Sequence, residues 1–155
     1  MLHTQTVETG TFELLRSIMS DKIFSQFSLA GGTALSLLIG HRKSIDLDLF
    51  TVEEFNPTSL EKYLQRNYNF KGDYLDGFTL KGEINGVKVD FIRHDYPDVE
   101  SRLQEDGIRL YSLKDIAKRI SNMTQEENKL FPSLLRKERI QPRQVIIPKK
   151  RGRGI

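Results

Sequence analysis

The alternation of apolar and polar residues predicts a chain in which helices and strands follow one another. Apolar side chains recur at helical spacing from Thr11 to Ser20, which predicts an amphipathic first helix. A short apolar strand from Phe27 to Ala30 ends at the glycine pair Gly31-Gly32, and a helix-forming segment from Thr33 to Leu38 then stops at Gly40. The predicted order is therefore strand, glycine turn, helix.

Strict alternation from Ser44 to Phe50 predicts a strand with one apolar face. Successive side chains of a strand point to opposite faces. The apolar face carries Ile45, Leu47 and Leu49, and the polar face carries Ser44, Asp46 and Asp48. Two acids therefore share one face of a strand whose other face is buried.

Turn and cap signals place the remaining elements. Asn85-Gly86 is a strong hairpin signal, so we expect two antiparallel strands at residues 78–84 and 87–93. A helix is expected over residues 60–66, with a serine or threonine cap before Glu61. Ser112 is expected to cap a last helix that fades near residues 122–124.

Charge divides the chain into two parts. The net charge is +3, but from Arg136 onward eight Lys/Arg face the single acid Glu138, which leaves the first 135 residues with 16 basic and 20 acidic side chains. We expect a core domain at residues 1–125 and a basic, proline-interrupted tail at residues 126–155 that is poorly ordered without a partner. Nucleic-acid contact by charge alone would therefore be a salt-sensitive property of the tail.

Composition bounds the class of protein. With 155 residues and 37% hydrophobic content, the chain can bury one ordinary core. Because cysteine is absent, disulfide frameworks and thiolate zinc sites are excluded. No apolar stretch reaches the roughly 18 residues of a membrane helix, and no basic-then-apolar leader is present, so we expect a cytoplasmic protein without membrane contact.

Three aspartates are the candidate metal ligands. Asp46 and Asp48 lie about 7 Å apart along one strand face, where their carboxylates can converge on one or two cations. Asp90 lies in a second strand, on the face opposite Val89, and joins them if the two strands are neighbours. Phosphoryl transfer from a nucleoside triphosphate needs charge neutralisation and in-line geometry, which carboxylate-bound Mg²⁺ supplies.

The glycine turn is the candidate phosphate site. Gly31 and Gly32 allow backbone amides to approach a phosphate at the start of a helix, and Thr33 adds a hydroxyl donor. Arg42 is either a guanidinium clamp on the triphosphate or an ordinary loop arginine. We expect Lys88 to be a solvated strand lysine that faces away from Asp90. Taken singly, a Gly-Gly turn is usually only a turn, and an Asp-x-Asp pair is often the solvated face of an edge strand.

The joint pattern resembles a known family. The glycine turn, an Asp-x-Asp strand and a later lone aspartate together resemble the polymerase-beta-like nucleotidyltransferases. Within them, the chain resembles the AbiEii/AbiGii abortive-infection toxins over residues 8–120. The residues that carry this resemblance form four blocks: Leu29-Ala30-Gly31-Gly32-Thr33-Ala34-Leu35, Gly40-His41-Arg42-Lys43-Ser44-Ile45-Asp46-Leu47-Asp48-Leu49-Phe50, Val87-Lys88-Val89-Asp90, and Ser112-Leu113-Lys114-Asp115-Ile116-Ala117.

The resemblance implies a fold, a cofactor and partners. The fold is a minimal nucleotidyltransferase fold of the α/β (α+β) class, with a small mixed, largely antiparallel sheet and helices mainly on one face. Asp46, Asp48 and Asp90 would bind Mg²⁺ or Mn²⁺ and act in catalysis, and Gly31, Gly32 and Thr33 would bind the NTP substrate. RNA is the expected acceptor, with tRNA acceptor ends as one candidate, and a cognate antitoxin would neutralise the toxin.

Two departures from the family qualify the expected activity. Relatives carry a phosphate-contacting lysine at the position of Ile120, so Lys118 is the candidate substitute on the same helix. The acidic block of the family's C-terminal lobe has no counterpart after Thr124. Three hypotheses therefore remain: an active nucleotidyltransferase acting on an RNA or protein hydroxyl, a shortened module that binds nucleotide, RNA or antitoxin without turnover, and a scaffold whose basic tail binds nucleic acid.

Overall fold

The computed structural model describes residues 1–119, which form seven strands and four α-helices. The helices are α1 (Thr9–Ser20), α2 (Gly31–Ile39), α3 (Pro57–Tyr68) and α4 (Leu113–Arg119). The strands are β1 (Ser28–Ala30), β2 (Leu47–Thr51), β3 (Phe70–Asp76), β4 (Thr79–Ile84), β5 (Val87–Arg93), β6 (Leu103–Glu105) and β7 (Ile108–Leu110). The predicted tail at residues 126–155 lies outside the described part of the chain.

All seven strands of this region join one mixed sheet. Their order is β3-β4-β5-β2-β1-β7-β6, in which β2 pairs with β5 and β1 pairs with β7 in parallel, whereas the other four pairings are antiparallel. The α/β class with a mixed, largely antiparallel sheet is confirmed. The neighbours β2 and β5 also meet the condition on which clustering of the three aspartates depended.

Tight turns set the hairpins of the sheet. Asn85 and Gly86 both have positive φ, 49° and 84°, so the predicted hairpin between β4 and β5 forms as expected for a two-residue turn. Asp106 and Gly107 make the same kind of turn, with φ of 53° and 78°, between β6 and β7. The hairpins β3–β4 and β6–β7 were not predicted, although Asp76-Gly77 and Asp106-Gly107 are turn signals of the same type.

Local capping sets the end of α2 and the start of α3. Gly31 and Gly32 are the first residues of α2 instead of a separate turn before it, and α2 ends at Gly40 in a left-handed cap. The predicted serine or threonine cap of α3 is wrong, since Asn56 accepts the hydrogen bond from the Ser59 amide and Pro57 opens the helix.

The strand that carries the aspartates is shorter than predicted. β2 begins at Leu47, so Asp46 precedes it by one residue. Ser44 is buried and Ile45 is 62% exposed, which reverses the predicted faces at these two positions. The cause is a contact with a distant segment of the chain: Ser44 forms an isolated bridge with Val7, and its amide donates to the Thr6 carbonyl, so the chain bends before β2 begins.

The core lies around α2, whose inner residues are almost completely buried against β1 and β2.

A buried aspartate fixes a loop at the edge of the domain. Asp115 accepts hydrogen bonds from the amides of Val99 and Glu100 and from the Ser112 hydroxyl, which fixes the loop before β6 onto α4. In residues 1–119 we find no helix with the length and apolar character needed to cross a membrane.

Candidate active site

Two of the predicted aspartates face each other on neighbouring strands. Asp48 in β2 and Asp90 in β5 are Cα partners in the parallel register, so their side chains leave the same face of the sheet. Both are partly buried, whereas Asp46, which precedes β2, is exposed. The structure therefore brings Asp48 and Asp90 together directly. Asp46 lies immediately before the first residue of β2.

The pKa values of this pair are raised mainly by burial and further by neighbouring negative charge. Burial raises the pKa of Asp48 to about 6, with further upward contributions from the charges of Asp90 and Asp46 and an opposing one from Lys81. Burial also raises the pKa of Asp90, which Lys81 and Lys88 counteract and Asp46 and Asp73 reinforce. A further positive charge beside the two carboxylates, in addition to those of the lysines, would therefore be favourable.

The donor set suits a hard divalent cation. Carboxylate oxygens are the ligands that Mg²⁺ prefers, and a cation held by Asp48 and Asp90 would compensate for the burial that raises the pKa of Asp48 and for the repulsion that adds to it. Within residues 1–119, no three His, Asp or Glu side chains are already close enough together to hold a metal ion. A three-ligand site made of Asp46, Asp48 and Asp90 therefore stays a prediction. Two of its three ligands, Asp48 and Asp90, are already neighbours in the sheet.

The glycine pair permits two close approaches. Gly31 has a φ of 67°, which L side chains rarely adopt, and a Cβ there would overlap the Asp48 carboxylate. A Cβ at Gly32 would overlap the guanidinium of Arg42. Gly31 is thus required by its φ and by Asp48, whereas the flexible end of Arg42 can move away from a Cβ at Gly32. The first turn of α2 lies directly between a predicted metal ligand and an arginine.

Arg42 is exposed, and its guanidinium donates to the Lys43 carbonyl. Its contact with Gly32 places the guanidinium at the first turn of α2, where a phosphate is expected to bind. This position favours the clamp over the ordinary loop arginine, and the contact with phosphate remains a prediction.

Thr33 has a different environment from the one predicted. Its side chain is 1% exposed, and its hydroxyl donates to the Asp46 carbonyl and lies 2.6 Å from the Ser44 hydroxyl. Because the Thr33 proton goes to Asp46, Ser44 donates to Thr33. The hydroxyl of Thr33 therefore fixes the backbone ahead of β2 and points away from a phosphate in solvent.

Two lysines complete the polar face around Asp90. Lys88 lies two residues before Asp90 in β5 and shares its face, so the expectation that it faces away is wrong. Lys81 is the Cα partner of Asp90 on β4, and sequence reasoning missed it. The Asn85-Gly86 register would have paired the two residues. The side chain of Lys118, in the last turn of α4, lies outside the described part of the chain, as does Ile120.

The fold is similar to that of solved proteins described as nucleotidyltransferases. A crystal structure of a protein from H. pylori assigned as a nucleotidyltransferase superposes with a TM-score of 0.50 at 17% identity, covering 81% of this chain and 67% of that one. A CCA-adding enzyme solved with ATP superposes with a TM-score of 0.46 at 22% identity, covering 58% of this chain and 22% of the enzyme. The first of these similarities supports the fold.

The family follows from the sequence comparison. Residues 13–113 match the sequence model described as "Nucleotidyl transferase AbiEii toxin, Type IV TA system", so the chain belongs to the AbiEii family. An uncharacterised protein of Aquifex aeolicus (strain VF5) is 35% identical over 109 residues, which cover 68% of this chain and 53% of that protein. The chain thus spans about half the length of this relative.

Proposed function

We propose that the chain transfers a nucleoside monophosphate from an NTP to a hydroxyl group of RNA in a Mg²⁺-dependent reaction, and that it is the toxin of a toxin–antitoxin pair. One observation carries the proposal. Ala30, Asp48 and Asp90 are successive register partners across β1, β2 and β5, so the glycine start of α2 lies beside the acidic pair. Nucleotide phosphates at Gly31 and Gly32 would therefore adjoin the carboxylates.

Each residue has a defined task in this reaction. Asp48 and Asp90, with Asp46, would hold the cation, which supplies charge neutralisation for the triphosphate when bound. Arg42 binds a phosphate oxygen by charge-assisted hydrogen bonds. The acceptor oxygen bonds to the α-phosphorus while the bond to pyrophosphate breaks, and the hydroxyl proton passes to the Asp90 carboxylate. Thr33 and Ser44 keep Asp46 in position.

Family membership supports the toxin assignment and, with it, a cognate antitoxin. A tRNA acceptor end remains the first RNA to test. Mn²⁺ could replace Mg²⁺ at the same oxygen ligands.

Label transfer tests this function directly. The full chain is incubated with each α-labelled NTP, Mg²⁺ and total tRNA, and the products are separated into RNA and protein. We expect labelled RNA with one preferred NTP, and none with the Asp46→Ala/Asp48→Ala variant. Equal labelling by that variant contradicts the proposal. Mg²⁺-NTP binding without any transfer would instead support the binding module without turnover.

A further inference from the structure

A charged cavity opens beside Asp90, on the side away from the glycine pair. It has a volume of about 460 Å³ and lies over β3, β4 and β5. Three lysines and three acids line it: Lys71, Asp73, Lys81, Glu83, Lys88 and Asp90. Because Asp90 belongs both to this cavity and to the acidic pair, the cavity continues the candidate active site.

One row of register partners gives the site a direction. Across five neighbouring strands the successive Cα partners are Ala30, Asp48, Asp90, Lys81 and Tyr74. The glycine start of α2 follows Ala30 at one end, and Lys81 and Tyr74 lie at the other. A nucleotide at the glycine end would leave the far end, beyond Asp90, for the second reactant.

The lysines of the cavity are available to an anionic ligand. Among the described residues, none of Lys71, Lys81 and Lys88 has a carboxylate oxygen within 4.0 Å, although acids share their face. Lys71 and Lys88 are exposed and flank Glu83 as its partners on β3 and β5. Because the Glu83 carboxylate repels phosphates, they would bind at the two lysines on either side of it and not at its own position.

An aromatic ring lies at the end of the row. Tyr74 is 50% exposed, and the Lys81 ammonium lies 5.9 Å from the centre of its ring. An exposed ring beside an ammonium provides a stacking surface and a phosphate contact at neighbouring points, which is the combination that binds single-stranded nucleic acid.

We propose that this face of β3–β5 is the acceptor subsite and binds the end of a single-stranded RNA. Lys71, Lys81 and Lys88 contact its phosphates, Tyr74 stacks on a base, and the terminal hydroxyl lies at Asp90. The inference rests on the proposed function and extends it by naming the surface that binds the RNA acceptor and the single-stranded end that this surface recognises. The transfer itself is the reaction already described, with pyrophosphate as the leaving group.

Binding of a single-stranded RNA oligonucleotide to the full chain, without NTP, tests the subsite apart from catalysis. The test variant is Lys71→Gln/Lys88→Gln. The matched control is Lys22→Gln/Lys62→Gln, which removes the same charge from exposed positions in other elements. We expect the test variant to bind RNA at least tenfold more weakly than the control, with the log–log salt slope reduced by about 1.4, or about 0.7 for each lost contact with single-stranded phosphate.

Two further readouts separate the possible failures. Tyr74→Leu should weaken RNA binding about tenfold without changing the salt slope, since stacking carries no counterion release. The affinity for Mg²⁺-NTP should stay within twofold in every variant. The subsite is overturned if Lys71→Gln/Lys88→Gln binds RNA within twofold of the control. It is also overturned if the wild type labels only protein and Lys71→Gln/Lys88→Gln does so at the wild-type rate. If the wild type binds RNA through these lysines but transfers nothing with any NTP, the subsite stands and the proposed function fails.

Discussion

Asp48 and Asp90 are register partners on the parallel strands β2 and β5, so two acids face each other within a partly buried part of the sheet. Burial and the neighbouring charge of Asp90 raise the pKa of Asp48 to about 6. A buried carboxyl group whose ionised form is disfavoured is typical of a functional site, because the fold does not need such a group for stability.

The first prediction concerns stability against pH without metal. Because the pKa of Asp48 is higher in the folded chain than its ordinary 3.8, the contribution of this group is fully present below about pH 4 and is lost as pH rises through 6. Asp48→Asn should therefore gain about 2 kcal/mol of unfolding free energy relative to wild type between pH 4 and pH 7. Denaturant melts at both pH values measure the difference. If the difference in unfolding free energy between Asp48→Asn and wild type is the same at pH 4 and pH 7, the prediction is contradicted.

The second prediction concerns added metal. A cation that binds the folded chain raises its stability by about 1.4 kcal/mol at ten times the dissociation constant. We expect Mg²⁺ to raise the Tm of wild type by several degrees at pH 7.5 and by less at pH 5.5, because protons compete for Asp48. Asp48→Asn should show no specific shift. Potassium chloride at equal ionic strength is the control, and an equal effect of that salt would argue against a metal site.

The third prediction separates backbone strain from contact at the glycine pair. Alanine at Gly31 must adopt a φ of 67° and also displace the Asp48 carboxylate. Alanine at Gly77 meets a comparable φ of 55°, with no atom within 4 Å of its Cβ. Gly77→Ala should cost about 1 kcal/mol of stability and leave transfer intact. Gly31→Ala should cost more and abolish transfer; equal behaviour of the two variants would show that the contact with Asp48 has no role.

The fourth prediction concerns the buried hydroxyl pair of Thr33 and Ser44. Thr33→Val keeps the shape but leaves the Asp46 carbonyl without its donor, which should cost about 1–3 kcal/mol. Thr33→Ser keeps the hydroxyl and should restore most of this loss. A double-mutant cycle with Ser44→Ala should show coupling of about 1 kcal/mol. If Thr33 instead contacts phosphate, Thr33→Val lowers NTP affinity and leaves stability unchanged.

Local signals in the sequence predicted local structure. Asn85-Gly86 gave the hairpin and its register because both residues must tolerate positive φ, and the glycines and aspartates marked the candidate site. Asp76-Gly77 and Asp106-Gly107 carry the same information about β3, β6 and β7, which were nevertheless missed.

Long-range contacts were not accessible to the same reasoning. The pairing of Asp48 with Asp90 joins residues far apart in sequence, and no local pattern encodes its register. Ser44 and Ile45 deviate from strand alternation because Val7 and Thr6 hold the chain there, a contact that the local pattern does not contain. The inward hydroxyl of Thr33 depends on the same bend.

The most direct test of the account is the initial rate of label transfer to RNA by wild type, Asp48→Asn, Asp90→Asn and the double variant, at fixed Mg²⁺ and NTP. If the two carboxylates hold one cation, each single change should lower the rate about a thousandfold, and the double variant should be little worse than either, since they act as one unit. Retention of a tenth or more of the wild-type rate by either single variant would contradict the account.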